Sequence, residues 1–380
     1  MTPIYLDYHA TTPCDRRVAD RILHTLTEEF GNANSIDHVY GDAAEKAVKK
    51  AKEAIANLIQ SSPQEIIFTS GATESINLAI QGSLNPHKPA KIALSTVEHK
   101  AVLDTCKALE QQKRAQLIYI PVNAKGNLDL NQIETILKNG VSLLCIMAAN
   151  NEIGNIYPIE AIAKLAREYY TPFLCDAAQA VGKIPIKFAD WGITFLAISA
   201  HKLYASKGIG ALVVKKRTPL NPILFGGGHQ QGMRSGTLNV SGIVGLGEAC
   251  YLRQLEMQED ESRIAQLRDQ LEQLLQAKIP GLIVNGDRTS RLAGNLHIAI
   301  PNIPNSAIIA RIRHQLAIST GSACSSGVET PSHVLQAMKL PSEVIEGALR
   351  IGLGKFTTHA EIERAGAILA DTVAQIRQLM

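Results

Sequence analysis

A lysine follows directly after a predicted buried strand in this sequence. Residues 195–198, Phe-Leu-Ala-Ile, are apolar and predict a strand in the core, and the chain continues Ser199-Ala-His201-Lys202. Lys202 would therefore lie where an ammonium group loses part of its solvation, which lowers the pKa of a lysine and favours the neutral amine. A neutral lysine amine attacks carbonyl groups, so this position is typical of a lysine that forms an imine.

Small, polar or ionisable residues also follow three other predicted strands. They occupy residues 71–74 (Gly-Ala-Thr-Glu), 149–152 (Ala-Asn-Asn-Glu) and 176–179 (Asp-Ala-Ala-Gln). In open parallel α/β sheets, ligands bind outside the carboxyl ends of the strands. The sequence therefore predicts that these residues and residues 199–202 form one site.

The first of these strand ends opens a predicted helix, and the third begins with an acid. Free N–H groups and the helix dipole at residues 71–73 attract a phosphate, although the same stretch alone fits a plain N-cap by Ser70 or Thr73. A phosphate cradle, the carboxylate of Asp176 and a lysine together match the needs of pyridoxal phosphate (PLP). The lysine forms the imine, the carboxylate keeps the pyridine nitrogen protonated, and the cradle anchors the phosphate.

Each of these residues, taken alone, also fits a structural role. Asp176 can cap a turn, and Lys202 can pair with a carboxylate. Ser199 and His201 alternate along the predicted strand and so face one side, which fits a pair of donors for one anion and fits core hydrogen bonding equally well. Only the combination of residues at the four strand ends therefore indicates a PLP site.

The elements that position these residues alternate between helix and strand from about residue 16 to 217. Predicted helices lie near 42–60, 74–82, 100–112, 129–139 and 159–170, and the apolar runs between them are EIIFTS, KIALST, AQLIYI, VSLLCIMA, PFLCD, ITFLAIS and GALVV. This pattern predicts an α/β fold whose large domain has a mainly parallel, seven-stranded sheet flanked by helices.

The order of predicted helices and strands changes later in the chain and predicts a second, smaller α+β domain. A long helical pattern runs from residue 246 to 279, and shorter strands and helices follow it. We expect residues 16–259 to form the large PLP-binding domain. Residues 1–15 and 260–380 are expected to form the small domain, which carries Cys324.

Composition narrows the possible partners. A net charge of +3 is too small to indicate binding to nucleic acid or to an anionic membrane. The amino terminus shows no secretory signal, and no apolar run approaches the roughly 20 residues of a membrane-spanning helix. The six cysteines are scattered without a C-x-x-C pair, so neither a disulfide framework nor a metal site is expected. These features favour a cytoplasmic protein.

The motif series of the chain resembles that of the cysteine desulfurases of the NifS/IscS type. These are class V aminotransferases with the fold-type I architecture of PLP-dependent transferases. The resemblance runs from about residue 4 to 358 and rests on YLDYHATTP, FTSGATES, VEHKAVLD, NNEIG, DAAQAVGK, SAHKLYASKGIGAL, GGGHQQGMRSGTLN and STGSACSSG. The last motif, which contains Cys324, separates desulfurases from transaminases.

The resemblance implies a role in cofactor binding for several residues. Lys202 would form the imine with PLP, and His99 would stack on its ring and help to move protons. Asp176 would pair with the pyridinium nitrogen, and Gln179 would hydrogen-bond the ring hydroxyl. The residues implied to hold the phosphate are Ala72, Thr73, Ser199 and His201, joined by Thr237 from a second subunit.

The resemblance also implies the substrate and the reaction. Asn151, which also belongs to the cofactor site, and Arg350 would bind the carboxylate of L-cysteine, for which a guanidinium has bidentate geometry. Cys324 would attack the substrate sulfur and keep it as a persulfide while alanine is released. The glycine- and serine-rich segment from Ser319 to Pro331 predicts a mobile loop with a reach of about 15–20 Å, enough to carry the persulfide outwards.

The implied partners are a second copy of the chain and a sulfur-acceptor protein. The acceptor would be an iron–sulfur scaffold or a carrier for tRNA thiolation. Two alternatives stay open: a class V enzyme of other specificity, such as a transaminase or selenocysteine lyase, and a catalytically silent scaffold. Cys324 favours desulfuration, and Lys202, Asp176 and His99 argue against a silent scaffold.

Overall fold

The computed structural model describes residues 2–85, 87–321 and 331–380. The strands of these residues are β1 (Ile4–Tyr5), β2 (Ile66–Thr69), β3 (Ala90–Ser95), β4 (Ala115–Ile120), β5 (Leu143–Cys145), β6 (Phe173–Asp176), β7 (Phe195–Ser199), β8 (Gly210–Val214), β9 (Ile283–Val284), β10 (Asn295–Ala299), β11 (Leu316–Ala317) and β12 (Ala348–Gly352). The helices are α1 (Arg16–Thr27), α2 (Val39–Ile59), α3 (Ala72–Ser83), α4 (Lys100–Gln111), α5 (Leu130–Lys138), α6 (Ile159–Glu168), α7 (Phe188–Trp191), α8 (Val240–Lys278), α9 (Asn305–Ile312), α10 (His333–Ala337), α11 (Ser342–Glu346) and α12 (His359–Gln378).

The largest sheet has seven strands in the order β2-β8-β7-β6-β5-β3-β4. Neighbouring strands are parallel except around β8, which runs antiparallel to both β2 and β7. The central strands β6 and β7 are buried along their whole length, since helices cover both faces, and this explains why they read as unbroken apolar runs. The predicted mainly parallel, seven-stranded sheet is therefore present.

The strand ends singled out in the sequence meet at one edge of this sheet. β2, β5, β6 and β7 end at Thr69, Cys145, Asp176 and Ser199. Gly210, the first residue of β8, pairs with both Thr69 and Ser199. A Cβ at Gly210 would lie only 2.6 Å from the Cα of Gly71, so glycine is needed for the loop after β2 to lie this close to the sheet.

Helix α8 is 39 residues long and extends the helical pattern predicted for residues 246–279. It packs against α1 and α2 in its first part and against α12 further along. The chain beyond it forms a three-stranded antiparallel sheet, β12-β10-β9, and the strand β11, which pairs in parallel with β1 from the amino terminus.

A separate apolar core lies beneath the smaller sheet. It joins Ile4 and Leu6 to residues of the carboxyl-terminal region, among them Leu271, Ile298 and Leu369. This agrees with the grouping of residues 1–15 with 260–380, but Leu335 and Val344 from that region pack into the main core instead. The domain boundaries therefore stay a prediction.

In the part of the chain that the structure describes, no helix combines the length and apolar character needed to cross a membrane.

Candidate active site

A cavity of about 640 Å³ opens at the carboxyl edge of the seven-stranded sheet. Most of the predicted site residues line it, from the ends of five strands of the large sheet and the loops after them, and from β12. They are Ala72, Thr73, His99, Asn151, Asp176, Gln179, Ser199, His201, Lys202 and Arg350. The structure thus brings together residues that are up to 278 positions apart in the sequence, from Ala72 to Arg350.

The amino terminus of α3 forms one wall of this cavity. Its N-cap is Gly71, which has no side chain, so the expected capping by Ser70 or Thr73 is wrong. Nothing lies within 4 Å of where a Cβ of Gly71 would be, so the approach to the first N–H groups of the helix is open. These groups and the helix dipole form an anion site.

An acid beside this anion site is neutralised by an arginine. Glu74 accepts hydrogen bonds from Arg234, with Nε–Oε1 2.7 Å, and from the Ser70 N–H. Burial opposes ionisation, but these hydrogen bonds hold the pKa of Glu74 below its ordinary value. Glu74 is therefore a paired carboxylate that anchors the loop after β2 and does not leave its full charge facing an anion.

Lys202 ends a 3₁₀ turn, Ala200–Lys202, that follows β7 directly. The strand stops at Ser199, so the expectation that Ser199 and His201 alternate along one strand is wrong, although both line the cavity. The Lys202 Nζ donates to the backbone oxygens of His9, at 2.5 Å, and Ala10, at 2.6 Å. Burial, reinforced by Lys183 and Arg350, lowers the pKa of Lys202 to about 7.

Asp176 and His99 lie on another wall of the cavity. The Asp176 carboxylate is only 6% exposed and accepts the Ala178 N–H at 3.0 Å. Burial raises the pKa of Asp176, while its interactions with His99 and Lys202 and the hydrogen bond from the Ala178 N–H oppose this shift. His99 is exposed and is the N-cap of α4, where its Nδ1 accepts the Ala101 N–H at 3.1 Å.

The remaining polar groups on the floor of the cavity include two histidines. His201 Nδ1 lies 3.0 Å from Thr11 Oγ1, and burial together with Lys202 lowers the pKa of His201 to about 4. His201 is therefore neutral at physiological pH and acts as a hydrogen-bond donor or acceptor. His9 is buried, and its Nδ1 lies 3.3 Å from Gln179 Oε1.

Arg350 is held in place on the side of the cavity formed by β12. Its Nη2 donates to Asp7 Oδ1 at 2.8 Å, and its Nη1 donates to the Asn151 carbonyl at 3.2 Å. Its Nε is buried without a hydrogen-bond partner within the described residues. The guanidinium is therefore fixed, and Arg350 lines the cavity.

Two predicted residues remain, Thr237 and Cys324. Thr237 is exposed and does not line the cavity. Cys324 and the greater part of the loop expected from Ser319 to Pro331 lie outside the described residues. The roles and the mobility expected for them stay predictions.

Sequence reasoning missed several residues that contact the predicted ones. Asp7 and His9 lie in the motif YLDYHATTP, which was recognised without a role for either residue. Lys183, in DAAQAVGK, lies four residues after Gln179 and donates to its Oε1 at 2.9 Å. This spacing of four residues was a signal that could have pointed to Lys183.

A further missed residue is Glu98, which precedes His99. Its Oε1 accepts hydrogen bonds from Ser95 Oγ, at 2.6 Å, and from the Met147 N–H, at 2.9 Å, while its Oε2 is buried without a partner within the described chain. Burial raises the pKa of Glu98 to about 8. Glu98 therefore ties the loop after β3 to the end of β5, next to the residue expected to stack on the cofactor.

Comparison with known proteins places this fold and cavity in a family. The family profile of aminotransferase class V matches residues 4–365, nearly the whole chain. The chain therefore belongs to the aminotransferase class-V family.

Its relatives within the family are cysteine desulfurases. Cysteine desulfurase IscS of Methylobacillus flagellatus is 43% identical over 383 residues, which cover 100% of this chain and 94% of that protein. The mitochondrial cysteine desulfurase of Arabidopsis thaliana is 40% identical over 381 residues, which cover 99% of this chain and 84% of that protein. The solved structure of a NifS-like protein superposes with a TM-score of 0.91 at 32% identity, covering 98% of this chain and 100% of that one.

These comparisons confirm three expectations from the sequence. The motif series does belong to a class V protein of the cysteine desulfurase group. The fold class is that of NifS-like proteins, and the protein is an enzyme of this group. The roles of individual residues are not tested by the comparisons.

Proposed function

We propose that this protein is a PLP-dependent cysteine desulfurase that converts L-cysteine to L-alanine and holds the released sulfur as a persulfide on Cys324. The observation that carries the proposal is the convergence of Lys202, Asp176 and the open amino terminus of α3 on one cavity. The chain is about 40% identical to a cysteine desulfurase over 99% of its length, which supports the same chemistry at this cavity.

The residues of the cavity fit PLP. The uncapped amino terminus of α3, with open space beside Gly71, suits a phosphate. The buried carboxylate of Asp176 suits a protonated pyridine nitrogen, which would offset the cost of burying its charge. When bound, PLP withdraws electrons from an attached amino acid and so weakens the bonds at and next to its Cα.

The chain's own groups supply the binding and the proton transfers. Lys202 holds the cofactor, and its lowered pKa lets Nζ accept and return a proton near neutral pH. His99, which lines the cavity with Asp176, covers the face of the cofactor ring and takes part in a second proton transfer. Arg350, whose guanidinium is oriented by Asp7, and Asn151 bind the substrate carboxylate.

Cys324 completes the reaction in this proposal. Its thiolate attacks the sulfur of the bound cysteine, so a sulfur–sulfur bond forms while the carbon–sulfur bond breaks. The electron pair left on carbon takes up a proton, and alanine is the product. The persulfide then passes to an acceptor protein for iron–sulfur cluster assembly or tRNA thiolation.

The proposal includes a homodimer in the cytoplasm. The exposed position of Thr237, away from the cavity of its own chain, is compatible with its joining the phosphate site of a second copy.

The experiment that tests this function is an assay of the purified protein with L-cysteine. We expect alanine and, with a reducing thiol, sulfide in equal amounts. Alanine formed from pyruvate without sulfide would indicate a transaminase. Turnover of L-selenocysteine with no turnover of L-cysteine would indicate a selenocysteine lyase. Absence of a visible cofactor band would exclude PLP chemistry altogether.

A further inference from the structure

Lys183 lies behind the site and contacts it through one residue. It does not line the cavity, whereas Gln179 does. The Lys183 Nζ donates to Gln179 Oε1 at 2.9 Å, and Gln179 Nε2 donates to the His9 carbonyl at 2.8 Å. The Gln179 amide is buried and is therefore held at both of its ends.

The contacts at its two ends determine which way the Gln179 amide points, and Lys183 fixes the oxygen end. An ammonium group can only donate, so the amide must turn its oxygen to Lys183 and its nitrogen to the other side. One N–H of Gln179 is used by the His9 carbonyl. The second N–H remains available as a donor, and Gln179 lines the cavity.

The charge of Lys183 also acts on the amine of Lys202, to which it is linked through Gln179 and the His9 carbonyl, the acceptor of both Gln179 Nε2 and Lys202 Nζ. The charged groups that face Lys183 are Glu261 and Arg253 on α8 and Arg350 on β12. Arg253 is itself paired with Asp260 and Glu261. Burial lowers the pKa of Lys183 to about 8, which leaves it mostly charged at pH 7.

Charged groups of both signs face Lys202. Lys183 and Arg350 disfavour a proton on the amine, and Asp7 and Asp176 favour one. Arg350 is paired with Asp7, which offsets much of its field. None of the ion pairs among the described residues involves Lys183, because its hydrogen-bond partner is a neutral amide. No carboxylate in contact with Lys183 therefore cancels the field of its charge.

We propose that Lys183 is a positioning residue of the active site, which holds the Gln179 amide with an N–H towards the ring hydroxyl of the cofactor and places a positive charge behind the Lys202 amine. This inference rests on the proposed function. A purely structural lysine, in contrast, would stabilise the fold without affecting either property.

The first test measures the visible absorption of the holoenzyme as a function of pH. The midpoint of this titration reports the protonation of the Lys202 nitrogen. In Lys183→Met it should rise by on the order of half a pH unit, because the positive charge that disfavours this proton has been removed. Lys183→Arg should keep the wild-type midpoint. The control is Lys187→Met, which removes an exposed lysine four residues further on and should also leave the midpoint unchanged.

The second test compares two cofactor probes bound to the same variants. Lys183→Met should bind PLP about tenfold more weakly, from the loss of one charge-assisted hydrogen bond. Its affinity for 3-deoxypyridoxal phosphate, which lacks the ring hydroxyl, should equal that of the wild type. Equal losses for both probes would overturn the orienting role.

An unchanged midpoint in Lys183→Met, or the same shift in Lys183→Arg, would overturn the electrostatic role. Lys183→Gln, judged on the midpoint alone, replaces the methionine variant if that variant does not fold. A wild-type protein with no visible cofactor band would refute the proposed function itself, so the two failures are distinguishable.

Discussion

Arg350 and Asp7 form an ion pair at the edge of the active-site cavity, with 2.8 Å between Nη2 and Oδ1. The two residues are 343 positions apart in the sequence. They meet because the amino-terminal segment runs beside β12, where Asp7 and Gly352 form a parallel bridge. Asp7 thus fixes the guanidinium before any substrate carboxylate arrives.

This relationship predicts different effects for two substitutions of Asp7. Asp7→Ala removes the acceptor that orients Arg350 and should raise the KM for L-cysteine about tenfold, the effect of one hydrogen bond to a charged group. Asp7→Asn keeps an oxygen at the same place and should change KM much less. Steady-state kinetics of both variants test this, and an unchanged KM in Asp7→Ala would contradict a positioning role.

Lys202→Ala should abolish turnover. The phosphate site at α3 and the Asp176 carboxylate remain, so the variant should still bind PLP without a covalent bond. Borohydride reduction followed by mass spectrometry should attach PLP to Lys202 in the wild type and to no residue in the variant. A variant that converts cysteine to alanine at a rate near wild type would refute the assignment of Lys202.

Asp176→Asn keeps the shape of the side chain and removes its charge. Hydrogen bonds to charged groups contribute about 1.5–3 kcal/mol, so PLP affinity should fall about ten- to hundredfold. Turnover at saturating PLP should fall as well, because the pyridine nitrogen is less readily protonated. Unchanged affinity and turnover would mean that another group faces the ring nitrogen.

Glu98 predicts a pH dependence of the free energy of unfolding. The pKa of Glu98 is raised to about 8 in the folded chain, above its ordinary value of 4.5. Because the pKa of Glu98 is higher in the folded state, its contribution to stability is fully present below pH 4.5, its pKa in the unfolded chain. This contribution is lost as the pH rises through 8. Stability should therefore decline from about pH 5 to pH 8.

Glu98→Gln removes this ionisation while keeping an oxygen for Ser95 and Met147. Between pH 5 and pH 8 its free energy of unfolding should fall less than that of the wild type, by a difference on the order of a few kcal/mol. Urea unfolding at both pH values measures this. Glu53→Gln, at an exposed position, is the control and should follow the wild type; identical pH dependence in Glu98→Gln would show that Glu98 is not buried as a neutral acid.

The sequence was sufficient to predict the large sheet and the groups at its edge. Unbroken apolar runs such as Phe195–Ile198 indicate strands buried on both faces, and the positions of the polar residues after them follow from parallel topology. The local backbone geometry was harder to predict from the sequence. The 3₁₀ turn at Ala200–Lys202 and the N-cap at Gly71 depend on how closely β8 approaches the loop after β2.

The contacts behind the site were not predictable from local pattern. Asp7 reaches Arg350 only through the pairing of distant segments, and Glu98 reaches the Met147 N–H only after β3 and β5 have paired. Both are polar groups whose partners are chosen by tertiary packing. Hydrophobic periodicity carries no information about such partners.

The central claim is that this chain takes sulfur from L-cysteine onto Cys324, and mass spectrometry of the protein after incubation with L-cysteine tests it most directly. In the wild type and in Cys14→Ser, which removes an exposed cysteine, the peptide that contains Cys324 should gain the mass of one sulfur atom. In Cys324→Ser, PLP should still bind, but no peptide should gain sulfur and alanine release should collapse, because a hydroxyl is a far weaker nucleophile than a thiolate. A persulfide on another cysteine, with turnover intact in Cys324→Ser, would contradict the account.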